Sequence, residues 1–344
     1  MINYIVYRSL ECYTNWKMGE KMNISVAMAT YNGQKFIFKQ LESIRLQQRP
    51  VDEVIISDDN STDNTVEIIK KYIEKYNLNW KLVFNSGRGV QDNFFNALKN
   101  VTGDVVILSD QDDEWLPNKS KYIENVFSSR NVMCLNTSFQ YIDENDYPIA
   151  VSKVEGLSNN NLIPLRVNPN EIIPISLSLV FQKNISPGMT MAVSKYIIDT
   201  YVKITKRAFI HDWEINCIAA MYNGLFYSDV ILTKYRIHKD QKISISNLFK
   251  ERFLQKLKRK IFQVKNLIPL KLQLISELKM ISNDGNKEFL KAMEYYYNIR
   301  KKVAIDCNRL QWGEEIKLYN RFKRFGFMDL RYCFIDFFAS FIKK

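Results

Sequence analysis

Three polar stretches carry the residue types that could do chemistry, and each follows directly on an apolar run. Thr30-Tyr31-Asn32-Gly33 follows residues 24–29. Asp58-Asp59-Asn60-Ser61-Thr62-Asp63 follows residues 53–57, and Asp110-Gln111-Asp112-Asp113 follows residues 104–109. Six aspartates therefore gather at the ends of short apolar segments. Like charges at this spacing repel, and a divalent cation is the usual remedy. Asp110, Asp112 and Asp113 offer hard oxygen donors of the kind that Mg²⁺ or Mn²⁺ takes. Such an ion completes its shell with water and diphosphate oxygens, and as a Lewis acid it neutralises a departing diphosphate. A plainer reading of Asp113-Glu114 is the first turn of a helix, where the dipole favours acids. Asp58 and Asp59 are suited to accept from a pyrimidine N–H or a ribose hydroxyl. Ser61 or Thr62 reads as the cap of the next helix, with Asp63 in its first turn.

Further candidates lie later. His211-Asp212-Trp213 opens a helical pattern over 211–222, so Asp212 reads either as a general base or as a helix cap. His211 reads as its orienting neighbour. Arg88 reads as a diphosphate contact or as a solvated loop arginine. Other chemistries are excluded: there is no GxxxxGK[ST] loop and no GxGxxG, and Gly87-Arg88-Gly89 lacks a third glycine. Two histidines cannot build a His-rich metal site, and five scattered cysteines without a CxxC pair argue against zinc and disulfide frameworks.

The elements that must position these residues alternate. Strands are predicted at 24–29, 53–57, 80–84 and 104–109, and helices at 34–48, 63–76, 91–100 and from Pro117, a residue favoured at a first helical position. Apolar strands alternating with amphipathic helices predict an α/β fold, a doubly wound, mostly parallel sheet with helices on both faces. Ligands of such sheets bind beyond the carboxyl ends of the strands, where the polar stretches fall.

The ordered set of motifs resembles glycosyltransferase family 2, the inverting nucleotide-sugar transferases of GT-A fold. Thr30–Gly33, Asp58-Asp59-Asn60-Ser61-Thr62-Asp63-Asn64-Thr65 and Ser109-Asp110-Gln111-Asp112-Asp113-Glu114-Trp115 appear in that family's order and spacing. The last, followed by Pro117 and Lys119, is similar to the rhamnosyltransferase branch. Ser186-Pro187-Gly188-Met189-Thr190, His211-Asp212-Trp213 and Tyr235-Arg236-Ile237-His238 also resemble that branch. The likeness runs over about 22–248. It implies that Thr30, Asn32 and Asp58 hold the nucleoside and that Asp110 meets the ribose; Tyr31, Asp59, Arg88 and Gln111 join them as candidate nucleotide-sugar contacts. It further implies that Asp110 and Asp112 form the DxD pair around the metal, with Asp113 a further ligand, and that Asp212 is the base. Gly188, Met189, His211, Trp213, Arg236 and His238 fall at acceptor or diphosphate positions. Asn60 and Asn64 stand where glycine is frequent, which asparagine's tolerance of positive φ permits. Met189 stands where cysteine is often seen.

Four segments are expected: an extension at 1–21 (Met22 being a candidate native start), a nucleotide-sugar-binding half at 22–125, an acceptor-binding half at 126–248, and a basic amphipathic helical region at 249–344. Charge separates the last from the rest. The chain of 344 residues carries net +12, and residues 249–344 hold 22 basic against 10 acidic residues, while residues 1–248 are balanced. Phe249, Phe253, Leu257 and Ile261 recur at helical spacing, widened by Leu254, Val264 and Ile268. Phe322, Phe325, Phe327, Phe334, Phe337, Phe338 and Phe341 alternate with Lys and Arg near the end. Such segments suit the interface of an anionic membrane or pack on the catalytic body. A nucleic-acid partner is not expected, because the basic footprint avoids the main fold. No run of about 18 apolar residues predicts a spanning helix, and Arg8 and Glu11 interrupt any signal-peptide core. A cytoplasmic protein at the inner membrane face follows. Its expected function is metal-dependent transfer of a sugar to a saccharide or lipid-linked acceptor in surface polysaccharide synthesis. dTDP-rhamnose is the first candidate donor, and UDP-glucose or UDP-galactose the alternative. A nucleotide-sugar pyrophosphorylase would need a Gly-rich, Arg-bearing loop after strand one, which Thr30–Gly33 does not supply. A non-catalytic binding protein is disfavoured by the intact acid set.

Overall fold

The computed structural model describes residues 22–169, 171–238, 253–322 and 331–340. The proposed extension at 1–21, Phe249, Phe325, Phe327 and Phe341 lie outside the described residues, as do the side chains of Phe253, Leu254, Leu257, Phe322 and Phe338.

The predicted alternation is present: β1 (Ile24–Thr30), α1 (Ile37–Arg45), β2 (Glu53–Asp58), α2 (Thr65–Lys75), β3 (Trp80–Phe84), α3 (Val90–Leu98), β4 (Val105–Asp110), β5 (Glu114–Trp115) and α4 (Lys119–Ser129). β6 (Cys134–Ile142), β7 (Ile172–Pro174), α5 (Leu177–Gln182), β8 (Met191–Ser194), α6 (Lys195–Ile204), α7 (His211–Met221) and β9 (Leu225–Arg236) follow. β1 pairs in parallel with β2 and β4, and β2 with β3. Beyond β4 the sheet becomes mixed: β8 runs antiparallel between β4 and β6, β9 is parallel to β6, and β5 and β7 add antiparallel to β9. The strand order is β3-β2-β1-β4-β8-β6-β9-β5.

The apolar runs are the reason for this order. Ile24, Val26, Met28, Val54, Ile56, Val105 and Ile107 form one buried cluster with the α1 face Ile37, Leu41 and Ile44. A strand buried on both faces cannot alternate polar and apolar residues. Polarity therefore returns only where these strands end, which puts the acidic stretches on one edge. The helix starts differ in detail from expectation. The cap of α2 is Asn64, not Ser61 or Thr62, and just before it the Asp63 Oδ1 accepts from Thr65 N–H at 3.0 Å. Asn60 takes φ 60°, the left-handed region that glycine favours and asparagine tolerates, whereas Asn64 is not among the residues with positive φ.

The chain divides into two compact units. The first contains the sheet. The second holds Leu177–Lys183, Ile204–Phe209 and the C-terminal helices. These are α8 (Phe253–Lys279), α9 (Asp284–Ala304), α10 (Trp312–Phe322) and α11 (Arg331–Ala339). Ile261, Val264 and Ile268 of the predicted stripe are buried within this second unit. It also encloses a bidentate ion pair, with Arg300 Nε and Nη2 donating to Asp336 at 2.5 and 3.1 Å. Beside it, burial and the Asp336 charge push the Glu315 carboxyl up to about 9. Among the described residues no helix is long and apolar enough to cross a membrane.

Candidate active site

The end of β1 is held by its neighbours. Thr30 Oγ1 donates to Asp58 Oδ2 at 2.7 Å, and Ser61 donates to both Asp58 oxygens from N and Oγ at 2.7 Å each. Asp58 has no exposed surface. It braces Thr30 and Ser61 from beneath, while Tyr31 and Asn32 stay exposed above. Asn32 adopts φ 47° and its Oδ1 accepts from Thr62 N–H at 2.8 Å. Gln111 grips the backbone of Tyr31 on both sides: Oε1 accepts from its N–H at 2.8 Å and Nε2 donates to its carbonyl at 2.9 Å. Glycine at position 33 makes room for that grip, since a Cβ there would stand 2.2 Å from Gln111 Oε1. Asp59 is partly exposed and accepts from Asn85 Nδ2 at 2.7 Å and Gly89 N–H at 2.8 Å. The Arg88 side chain is exposed.

The acid loop leaves β4 at Asp110 and is caught by β9. Arg236 is fully buried; its N–H donates to Asp113 Oδ1 at 3.1 Å, and its guanidinium donates to Asp112 O at 2.8 Å, to Asp143 O at 3.0 Å and to Asp146. In this structure Arg236 thus shapes the loop from within rather than lining an open surface. His238 Nε2 meets Asp112 Oδ2 at 2.8 Å. Burial, then the charges of Asp112 and Asp212, raise the Asp110 carboxyl to about 7; burial and the charges of Asp112 and Asp110 raise Asp113 well above its usual range. Asp113 Oδ2 is buried without a hydrogen-bond partner among the described residues.

Asp212 begins α7, across from this loop. Burial lifts its carboxyl to about 6, against hydrogen bonds from the N–H groups of Trp213 and Gly188 and the Asn184 side chain. That Asp212 contributes to the rise of Asp110 places the two carboxyls within electrostatic reach. His211 is stacked on Phe94 with ring centres 4.1 Å apart, and burial drops its imidazole to about 3, so it is neutral. Both of its ring nitrogens lack a hydrogen-bond partner among the described residues. Gly188 sits against the pair: a Cβ there would be 3.2 Å from His211 Nε2 and 3.5 Å from Asp212 Cβ. Met189 and Trp213 are buried, and Met189 contributes a carbonyl rather than an open pocket wall.

The donor chemistry fits a divalent cation. Asp112 and His238 present an oxygen and a nitrogen at contact distance, with Asp110 and the unpartnered Asp113 oxygen in the same loop. Among the described residues, however, no three such groups close on one ion by themselves. An incomplete platform of this kind suits an ion whose remaining ligands come from diphosphate. Lys119, part of the motif but given no role by the sequence, is a fully buried cation whose pKa burial lowers to about 7 while Asp113 and Asp110 pull it back up. The signal was its place on the apolar stripe of α4, one turn before Ile123.

A parallel sheet that turns mixed after β4, with an acid loop at the turnover, is the architecture of GT-A glycosyltransferases. Residues 25–176 match the profile of glycosyl transferase family 2. It is 28% identical over 240 residues to the dTDP-rhamnosyl transferase RfbG of Shigella flexneri, covering 66% of this chain and 76% of that one. Further curated glycosyltransferases are spanned over only 22–46% of their own length. The fold is similar to that of Staphylococcus aureus TarS 1–349 in complex with UDP-GlcNAc (TM-score 0.59, 17% identity, 93% of this chain and 89% of that chain). It is also similar to that of the mannosyltransferase PcManGT from Pyrobaculum calidifontis with GDP-Man and Mn²⁺ (TM-score 0.52, 16% identity, 93% and 82%).

Proposed function

We propose that this chain is an inverting, metal-dependent glycosyltransferase that moves a sugar from a pyrimidine nucleoside diphosphate to a saccharide hydroxyl. The observation that carries the reading is the pairing of an acid loop with a buried aspartate whose carboxyl titrates near neutrality. Asp112 and His238 would hold the cation, aided by Asp110 and Asp113; when bound, it offsets the charge that develops on the leaving diphosphate. Tyr31, Asn32 and Asp59 stand where the nucleoside docks, and Asp58 and Gln111 keep them there. Asp212 accepts the proton of the attacking hydroxyl, and a carboxyl near 6 is ionised at neutral pH yet basic enough for that task. Attack opposite the leaving group inverts the anomeric carbon through an oxocarbenium-like transition state. His211, neutral and stacked on Phe94, orients the acceptor beside Asp212.

dTDP-rhamnose is the leading donor, supported by the likeness to RfbG. The fold of TarS, which binds UDP-GlcNAc, favours a UDP-sugar as the second reading. Nucleotide release from a panel of dTDP-, UDP- and GDP-sugars with Mn²⁺ tests both. Release from one pyrimidine sugar, abolished by EDTA, is expected; release from none refutes the reading. We also propose that the basic C-terminal helices meet the anionic inner face of a membrane bearing a lipid-linked acceptor. Their net charge and the exposed Phe262 and Phe334 support it. The full chain should float with phosphatidylglycerol vesicles and not with phosphatidylcholine vesicles; equal recovery sinks this part.

A further inference from the structure

We propose that Lys119 is a positioning residue, a buried strut that fixes the turn facing Asp212 against the back of the acid loop. The proposal rests on the transferase reading for its catalytic consequence, but its geometry stands independently.

Lys119 opens α4 and has no exposed surface. Its Nζ donates to Met189 O at 2.7 Å and to Thr233 Oγ1 at 2.9 Å, and lies 4.2 Å from the Trp115 ring centre. Each contact belongs to a different part of the site. Met189 follows Gly188, whose N–H meets Asp212, in a single 3₁₀ turn (Gly188–Thr190). Thr233 lies in β9, three residues before the Arg236 that clamps Asp112 and Asp113. Trp115 closes the acid loop and pairs with Thr233 in the sheet.

A buried ammonium is costly to desolvate, and an apolar side chain of similar volume would fill the same space more favourably. What methionine could not do is hold a carbonyl and a hydroxyl at once. A compact, strongly hydrated head with rotatable donors suits two oxygens in different directions, where a planar guanidinium would demand a fork-shaped partner. Lys119 therefore sets the distance between the loop that grips the donor and the turn that faces the base. A displacement of about 1 Å at such a place can cost roughly 10²-fold in rate.

Hydrogen exchange on the ligand-free full chain reads the strut directly. In Lys119→Met, amides over 188–194 should exchange about tenfold faster, the worth of one charged hydrogen bond. Strand 24–30 should be unchanged, whereas general destabilisation would quicken both. Thr233→Val removes one oxygen partner and should give an increase of about threefold in the same segment; it decides the question if Lys119→Met does not fold. With dTDP-rhamnose or UDP-N-acetylglucosamine as donor, kcat of Lys119→Met should fall about 10²-fold while the affinity for UDP with Mn²⁺ stays within about threefold. Uniform exchange, unchanged exchange, or parallel loss of UDP binding and kcat overturns the strut. If exchange shifts as expected but the wild type turns over neither donor, the strut stands and the transferase reading falls.

Discussion

Replacing Asp212 by asparagine should remove activity and add stability, because one buried carboxyl serves the first at the expense of the second. Burial raises that carboxyl from an ordinary 3.8 to about 6. At about 1.4 kcal/mol per pKa unit, the ionised form costs the folded chain about 3 kcal/mol. The folded state binds the proton more tightly than the unfolded one. The group therefore costs nothing below the unfolded value, takes stability away as pH rises towards about 6, and holds a constant cost above that. Asparagine carries no charge at any pH. Its stability relative to wild type should thus improve by about 2 kcal/mol between pH 4.5 and 8, whatever constant offset its own contacts introduce. Urea titrations followed by tryptophan fluorescence at the two pH values measure this difference of differences. In the transfer assay at saturating donor and Mn²⁺, kcat of the wild type should climb with pH to a plateau above about 6. The asparagine variant should lose about 10²–10⁴-fold. A variant within threefold of wild type would refute the base assignment. A stability difference that ignores pH would refute the burial argument behind it.

Gly188→Ala places a methyl 3.2 Å from His211 Nε2; kcat should fall about tenfold with UDP affinity unchanged in calorimetry, since only the base side is crowded. Asp112→Asn and His238→Ala should each weaken Mn²⁺ binding in the presence of UDP by about 10- to 100-fold, read by electron paramagnetic resonance, because each removes one side of the Asp112–His238 contact. Arg236→Met leaves the Asp112 and Asp143 carbonyls without their guanidinium donor, while Asp146 keeps Lys39; it should cost about 1–3 kcal/mol in urea unfolding of the first unit, and a loss under about 0.5 kcal/mol would contradict the clamp.

The parallel half of the fold was legible because its signals are local. Each of β1, β2 and β4 is a continuous buried run, and each following helix shows its own apolar stripe, so existence and order could be read without knowing any partner. The mixed half was less so. β5 has two residues and β8 four, too short for periodicity to speak. β9 gains its place from pairing with β6, whose register shifts twice along its length.

The same division decides which site residues could be understood in advance. An acid at the end of an apolar strand is visible locally; whether its oxygens face a ligand or the protein is not. Asp58 reads as a nucleoside contact, and its oxygens also accept from Thr30, 28 residues away, and from Ser61. Arg236 falls at an acceptor or diphosphate position, and its guanidinium reaches 124 residues back to the Asp112 carbonyl. In both cases a long-range hydrogen bond ties a charged side chain into the frame of the site. The Asp212 carboxyl is likewise set by its neighbours. Its hydrogen bonds come from Trp213, Gly188 and Asn184, and they fall short of cancelling the cost of burial. Had they cancelled it, the carboxylate would be a stable cap with no appetite for a proton. The residual imbalance is what would suit a buried aspartate to serve as a base, and it can be weighed only once the neighbours are known.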